Sequence, residues 1–425
     1  MAATAGHVVV VGAGHAAAQL CASLVASPWT GRLTLIGDEP GLPYHRPPLS
    51  KARLRGATLD GEACDPLIRP ETFYREHGVR HLAGVTVIAI DRGARRLILS
   101  GEPGHLEYDT LVLATGSLHL RPPLPGIDHE RVHTLRTAAE AAAVRRRLGG
   151  ARAVAVIGAG FIGLEASASL RQAGLEVTVL ERGERALARV TSPVVSEFFT
   201  GLHRDHGVAL RFEAAVTAIH DRPDGVRVAL ADAAPLDADF VVLGAGGFAN
   251  DALARAAGLA VGDPPSGGVR VDACQRTDDP HVLAIGDCCT AANELYGGCR
   301  LRLESVQNAN DQARVAAATI AGLPRPAAVM PWFWSDQYDV KLQIAGLSAG
   351  HDRCVLRGRP EPGTAFSVWY FRGRRLLAVD AVDDPRAYAL AGKLIPCRLS
   401  PDPALVADPT VAPRDLIRSA EEVAT

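Results

Sequence analysis

Lysine is nearly absent from this 425-residue chain, occurring only at 51, 341 and 393, so the basic residues are almost all Arg. That scarcity makes Lys51, in a proline-rich loop, conspicuous. Neither sign of charge is in excess: 45 Lys+Arg against 47 Asp+Glu leave a formal net charge of −2, which gives no general case for binding nucleic acid or an anionic membrane. No apolar run is long enough to span a bilayer. No basic segment precedes the first apolar run, so no signal peptide is expected and the chain reads as cytoplasmic. Cys21, Cys64, Cys274, Cys288, Cys289, Cys299, Cys354 and Cys397 show neither C-x-x-C nor a Cys/His zinc spacing. No metal site follows, and reduced, mostly buried thiols are expected. The vicinal pair Cys288-Cys289 suits small core residues better than a redox pair. A hydrophobic content of 48% and a charged content of 22% then describe an ordinary globular protein.

What is present is organised around Val8-Val9-Val10-Val11-Gly12-Ala13-Gly14-His15-Ala16-Ala17. Four consecutive Val read as a strand buried on both faces of a parallel sheet. The strand enters Gly12-x-Gly14-x-x-Ala17, and an Ala-rich helix is expected from about Ala16 to Ala26. In such a turn the first Gly permits the bend and the second admits a pyrophosphate. The phosphates rest on the helix N-terminus, where free N–H groups and the dipole favour anions. A second strand, Leu33–Gly37, delivers Asp38 and Glu39, well placed to accept from a ribose hydroxyl. The theme returns complete at Ala153–Ile157, Gly158-Ala159-Gly160-Phe161-Ile162-Gly163 and strand Glu176–Leu180, whose acid Glu181 lies 23 positions after the first Gly. Two such units imply two dinucleotides.

Between and beyond them, Pro47-Pro48-Leu49-Ser50-Lys51 reads as a stiff loop. Helices are expected over Pro70–His77, Pro193–His206 and Ser305–Ala321, and buried strands over Thr110–Gly116, Phe240–Leu243 and Val282–Asp287. Pro122–Gly126 and Gly244–Gly247 mark crossings between domains. Val340–Ala345, Arg353–Arg357, Phe366–Phe371 and Leu376–Ala381 read as antiparallel strands, and Asp384-Pro385 starts a helix. The Pro-rich tail after Arg398 is expected to carry at most one short helix, near Asp415–Val423.

These landmarks, with Ala114-Thr115-Gly116, Ala284-Ile285-Gly286-Asp287 and Pro331-Trp332-Phe333-Trp334-Ser335-Asp336-Gln337, make the sequence resemble the FAD-dependent ferredoxin and rubredoxin reductases of bacterial oxygenase systems, the putidaredoxin reductase group among them. The resemblance covers nearly the whole chain. It implies an α/β fold with two Rossmann-like dinucleotide-binding domains of glutathione-reductase type and a C-terminal α+β domain. The FAD domain would span 1–120 and 246–327, the NAD(H) domain 121–245 and the C-terminal domain 328–425. FAD would be held by Gly12, Gly14, Ala16, Asp38, Lys51, Val87, Ala114, Thr115, Gly116, Arg136, Gly286, Asp287, Val306 and Trp334. NADH would lie on Gly158, Gly160, Phe161, Ile162, Gly163, Glu181 and Gly246. Glu181 argues for NADH over NADPH, although Arg182 and Arg185 follow closely.

By the same resemblance Lys51, Glu165 and Trp334 are the candidate catalytic residues beside the nicotinamide–flavin contact. For Asp287 a helix N-cap, and for Trp332 and Trp334 a place in the core, remain open. The implied activity is hydride transfer from NADH to FAD, then release of single electrons to a [2Fe–2S] ferredoxin feeding a cytochrome P450 or a ring-hydroxylating oxygenase. Arg145-Arg146-Arg147 and Arg372, Arg374 and Arg375 are candidate docking charges or solvated faces. The third position of the first turn is Ala17, and Ala249 stands where the family often has Pro. No Cys pair spaced by four residues follows the first unit, which excludes the disulfide route of glutathione-reductase relatives. An NADH oxidase or peroxidase, which commonly uses a flavin-proximal Cys, and an NADH-sensing flavoprotein of apoptosis-inducing-factor type are the alternatives.

Overall fold

The computed structural model describes residues 6–55, 66–264 and 267–424; Cys64 lies outside them. The chain divides into two compact units, each made of three pieces: Met1–His45, Asp65–Leu118 and Gly247–Val329, and Arg46–Cys64, His119–Gly246 and Met330–Thr425. The Pro47–Lys51 loop thus falls in the unit that also holds 119–246 and the C-terminal residues.

The first unit is built on a five-stranded sheet in the order Val282–Ala284, Thr110–Leu113, His7–Val11, Arg32–Gly37, Arg80–Ala83. All its pairs are parallel, with Val9 beside Thr34 on one side and Leu111 on the other. The Val run occupies the central strand and is buried throughout, as two-sided burial requires. On one face, helices His15–Val25 and Val306–Ala321 meet through Ala16, Ala17, Ala309, Ala313, Ala316 and Ala317, whose small side chains allow close approach. Ser305 caps the second of these helices by accepting from Asn308 N, and Gly322 closes it at φ +67. On the other face the antiparallel ribbon Val87–Asp91, Arg96–Leu99, His105–Glu107 covers Val9, Val11 and Ile36.

The second unit repeats the plan: Ala209–Arg211, Glu176–Leu180, Ala153–Ile157, Phe240–Leu243, Val132–His133, again parallel. An antiparallel sheet follows it in the order Trp332–Gln337, Val340–Gly346, Arg375–Val382, Phe366–Arg372, Arg353–Gly358. Asp384 caps helix Pro385–Leu394 by accepting from Ala387 N, with Pro at the first helical position, as expected. The tail departs from expectation. It carries two helices, Pro403–Ala407 and Pro413–Ala424. The first is nucleated by Asp402, whose side chain accepts from Ala404 N, and by Pro403 at its start. Prolines that suggested an irregular tail are in fact helix starts. Among the described residues no helix is long and apolar enough to cross a membrane.

A buried triad helps tie the C-terminal sheet to helix Pro193–Asp205. Ser192, the cap of that helix, donates its backbone N–H to Tyr370 Oη at 2.9 Å, and the Tyr370 hydroxyl donates to Asp380 Oδ2. Asp380 is fully buried, and its Oδ1 has no partner among the described residues. Burial pushes its carboxyl up to about 7. A native pKa above the unfolded value gives a contribution that is complete below pH 4 and lost as pH rises through about 7. Buried His203, held down to about 4, has the opposite slope between there and its ordinary 6.5. Asp380→Asn should therefore lose about 2 kcal/mol less stability than the wild type between pH 5 and pH 8 in urea unfolding, the His203 contribution being common to both proteins.

Candidate functional site

In the first unit Gly12 has φ +108, and a Cβ there would lie 2.2 Å from the carbonyl oxygen of Ala114. Only glycine fits where the strand Thr110–Leu113 passes so close. Gly14 is the N-cap of helix His15–Val25, has no side chain to close the first turn, and no acid follows in that turn. The helix thus begins without an N-cap side chain, which is the arrangement an oxyanion of a dinucleotide suits. Gly286, at φ +78, brings its Cα so near Ala16 that a Cβ would stand 3.2 Å from the Ala16 methyl. Its N–H donates to Gln312 Oε1 at 2.7 Å. Asp287 follows in a 3-10 turn whose N-cap is Ile285, so the N-cap reading of Asp287 does not hold; the carboxylate accepts from Ser117 Oγ at 3.3 Å.

The Ala114-Thr115-Gly116 turn is clasped by a residue that the sequence reading passed over. Thr115 Oγ1 donates to the Asn250 carbonyl at 2.6 Å, Asn250 N donates to Gly116 O at 2.9 Å, and Asn250 Nδ2 to Thr115 O at 3.3 Å. Asp38 is exposed immediately after strand Arg32–Gly37, Val87 is half-buried, and Val306 opens helix Val306–Ala321. Lys51, Arg136 and Trp334, the other residues expected at FAD, belong to the second unit. Arg136 is held there by its backbone: its N–H donates to Glu140 Oε2 at 2.7 Å, and its carbonyl accepts from Arg46 Nη1 at 2.7 Å.

The second turn is tighter still. A Cβ on Gly158 (φ +104) would lie 2.4 Å from Gly244 O, and one on Gly163 would lie 2.1 Å from Gly158 O. Gly160 is the uncapped N-cap of helix Phe161–Gln172, again with no acid in the first turn. Both oxygens of Glu181 are fixed, Oε2 by Ala159 N–H within the glycine turn and Oε1 by Gly183 N–H, each at 2.7 Å. Arg185 donates to the carbonyls of Ala188 and Thr191, which leaves Arg182 as the exposed cation beside Glu181. Ile162 is 47% exposed although apolar, at the mouth of the turn, and Phe161 packs on Phe333 with ring centroids 4.7 Å apart. Gly246 (φ +99) faces Arg189, whose Nη2 would be 3.1 Å from a Cβ.

Lys51 and Glu165, 114 residues apart in sequence, meet at 2.6 Å between Nζ and Oε2. Glu165 lies on the inward face of helix Phe161–Gln172, only 5% exposed, and Lys51 follows the 3-10 turn Pro47–Ser50. The same carboxylate accepts from Ser50 Oγ on Oε2 and Ser335 Oγ on Oε1, both at 2.6 Å. Ser50 and Ser335 stood inside recognised landmarks, yet nothing local in the sequence assigned them a partner. Trp332 and Trp334, with ring centroids 5.5 Å apart and planes tilted by 36°, lie on an outer strand of the C-terminal sheet and are half-buried, not core residues. Arg146, Arg372, Arg374 and Arg375 are exposed, whereas Arg147 is occupied with Glu130. Cys288 and Cys289 are buried, and burial raises both thiols, so neither is a thiolate nucleophile. All the described cysteines are free.

Two parallel sheets, each followed by a helix that begins at a glycine and has no side-chain cap, define a protein that binds two dinucleotides. Residues 6–313 match the pyridine nucleotide-disulphide oxidoreductase family, and residues 332–417 match the reductase C-terminal family. The chain is 42% identical to rhodocoxin reductase of Rhodococcus erythropolis over 405 residues, covering 94% of this chain and 92% of that protein. It is 39% identical to putidaredoxin reductase of Pseudomonas putida, covering 98% and 97%. The crystal structure of the covalent putidaredoxin reductase–putidaredoxin complex matches with a TM-score of 0.91 at 38% identity, over 98% of this chain and 99% of that one. The chain belongs to the pyridine nucleotide-disulphide oxidoreductase family and is an FAD-dependent oxidoreductase that uses NAD(P)H.

The two glycine roles separate experimentally. Gly163→Ala places a Cβ into backbone and should cost about 2–4 kcal/mol in thermal or urea unfolding. Gly160→Ala meets nothing nearer than 3.9 Å and has an ordinary negative φ, so it should fold normally. Its methyl would stand where a pyrophosphate approaches, and NADH binding followed by fluorescence should weaken at least about tenfold.

Proposed function

We propose that this chain is an NADH-dependent ferredoxin reductase that passes electrons to a [2Fe–2S] ferredoxin serving a cytochrome P450 or a ring-hydroxylating oxygenase. The observation that carries the reading is the ion pair of part-buried Lys51 with buried Glu165, which lies on the helix that the second dinucleotide turn begins. NADH would lie on Gly158, Gly160, Phe161, Ile162, Gly163 and Gly246, its pyrophosphate on the N–H groups that open helix Phe161–Gln172. Glu181, an acceptor already fixed by two backbone donors, would take the ribose 2′-hydroxyl and repel a 2′-phosphate, with Arg185 spent on backbone carbonyls. Phe161 and Ile162 would cover the apolar side of the nicotinamide, and the Glu165 carboxylate would orient its carboxamide.

The first unit fits FAD by the same test. Gly12, Gly14 and Ala16 would receive the pyrophosphate, Asp38 the adenosine ribose, Asp287 the ribityl chain, and Val87 the adenine. Ala114, Thr115 and Gly116, braced by Asn250, would line the same site with Gly286 and Val306. FAD supplies, when bound, a carrier that accepts two electrons as hydride and yields them singly. Lys51 brings the cation that favours a reduced, anionic ring, and Trp334 an aromatic surface near the electron exit. The partner assignment is supported by the names of the relatives, which include rhodocoxin, putidaredoxin and ferredoxin reductases. The setting we propose is the cytoplasm, in keeping with free thiols.

Anaerobic titration tests this directly. The visible flavin band should bleach with about one NADH per flavin and respond far less to NADPH. Adding a [2Fe–2S] ferredoxin and cytochrome c should then give rapid cytochrome reduction. Lys51→Met and Glu165→Gln should each slow the bleaching about tenfold to a hundredfold. Absence of flavin, or a band that NADH leaves unchanged, overturns the proposal; bleaching that discharges only to oxygen points to an oxidase.

A further inference from the structure

The Glu165 carboxylate is also the end of a line of buried hydrogen bonds. Ser335 Oγ lies 2.6 Å from Glu165 Oε1, Gln337 Nε2 lies 3.2 Å from Ser335 Oγ, and His203 Nε2 lies 2.8 Å from Gln337 Oε1. Ser335, Gln337 and His203 are all inaccessible to solvent. The line starts on helix Pro193–Asp205, crosses the outer strand Trp332–Gln337, and ends on the partner of Lys51.

Its direction follows from donor arithmetic. With Lys51 and Ser50 both donating to Oε2, Glu165 is an ionised carboxylate and only accepts. Ser335 therefore gives its one hydroxyl hydrogen to Oε1 and keeps only lone pairs for Gln337. The amide NH2 of Gln337 must face Ser335, and its carbonyl must face His203, which donates from Nε2. Turning the amide over would set two acceptors against each other at Ser335. His203 is left with a bare Nδ1, and that atom has no partner among the described residues. A charged imidazole would need a second acceptor, and burial keeps the ring neutral, with its pKa down to about 4.

We infer that Ser335 and Gln337 are positioning residues of the Lys51–Glu165 pair, the acceptor-only Glu165 setting the direction in which every donor points and neutral His203 closing the line as its last donor. The functional consequence rests on the role proposed above for that pair. Ser335 spreads the Glu165 charge over a second donor on Oε1, which leaves the ammonium less tightly held and the carboxylate in one orientation.

Because the chain has three lysines, Lys51 can be read individually. The full-length flavoprotein is treated with N-hydroxysuccinimidyl acetate, and acetylation of Lys51 is followed by mass spectrometry against exposed Lys393. S335A removes the donor, and Q337E draws the Ser335 hydrogen away from Glu165. Both should slow Lys51 acetylation about threefold to tenfold, as a carboxylate with one donor fewer grips the ammonium harder. Q337L leaves Ser335 free to donate to Glu165 and should keep Lys51 within about twofold of wild type. A packing role alone would make Q337L at least as disruptive as Q337E. An unchanged Lys51 in S335A, or equal effects in all three variants, overturns the inference; should Q337E not fold, S335A against Q337L decides. In stopped-flow reduction by NADH, S335A should lower the limiting rate of flavin bleaching and leave its dependence on NADH concentration unchanged. If Lys51 responds and that rate does not, the positioning network stands and the role of the pair in hydride transfer falls.

Discussion

Each unit depends on a helix that begins at a glycine and so cannot close its own first turn. At Gly14 and at Gly160 the chain gives up the side chain that would satisfy the leading N–H groups. Neighbouring strands make the sacrifice compulsory, because the carbonyls of Ala114 and Gly244 lie where a Cβ of Gly12 or Gly158 would stand. The result is a fixed positive end at the carboxyl edge of a parallel sheet, built before any ligand arrives. Sheet order, small helix residues and the Asn250 and Gln312 braces all serve to hold that end still.

The second unit adds a carboxylate whose surroundings are the reverse of a mobile surface acid. Glu165 receives hydrogens from a loop serine, the lysine next to it and a strand serine, so two segments far apart in sequence agree on one orientation. Ser169 Oγ donates to the Ser50 carbonyl at 2.8 Å and fastens the Pro47–Ser50 turn to the same helix. A buried charge is tolerated here because it is paired and fully hydrogen-bonded. Rigid prolines before Lys51 reduce what its ordering costs.

Much of this was legible in the sequence, and the reasons differ by element. Strands Ala153–Ile157, Glu176–Leu180 and Phe240–Leu243 match expectation to the residue, because apolar or alternating runs between turn residues leave little choice. Strand Trp332–Gln337 carries no strand pattern in the sequence. Its fully buried residues are Ser335 and Gln337, while Trp332 and Trp334 are half-exposed, so its polarity pattern is inverted by the hydrogen-bond line it carries. Val132–His133 and Leu236–Ala238 are too short to leave a period. The glycine turns and Glu181 are local features and were visible. Ser50, Ser335, Gln337 and Asn250 act on partners up to 170 residues distant, and no local signal announces them.

The interleaving of the chain has a consequence for its synthesis. The first unit's sheet lacks the strand Val282–Ala284, and its face lacks the helix Val306–Ala321, until three quarters of the chain has been made. The second unit waits for the strand that carries Ser335. The first unit is complete only once Gly247–Val329 has been made and the second only once the residues from Met330 onward have been made, so a ribosome-bound intermediate exposes valine-rich strand surface for tens of seconds at about 5–20 residues per second. A protein assembled this way holds both nucleotide-binding units incomplete while segments far apart in sequence are still being made.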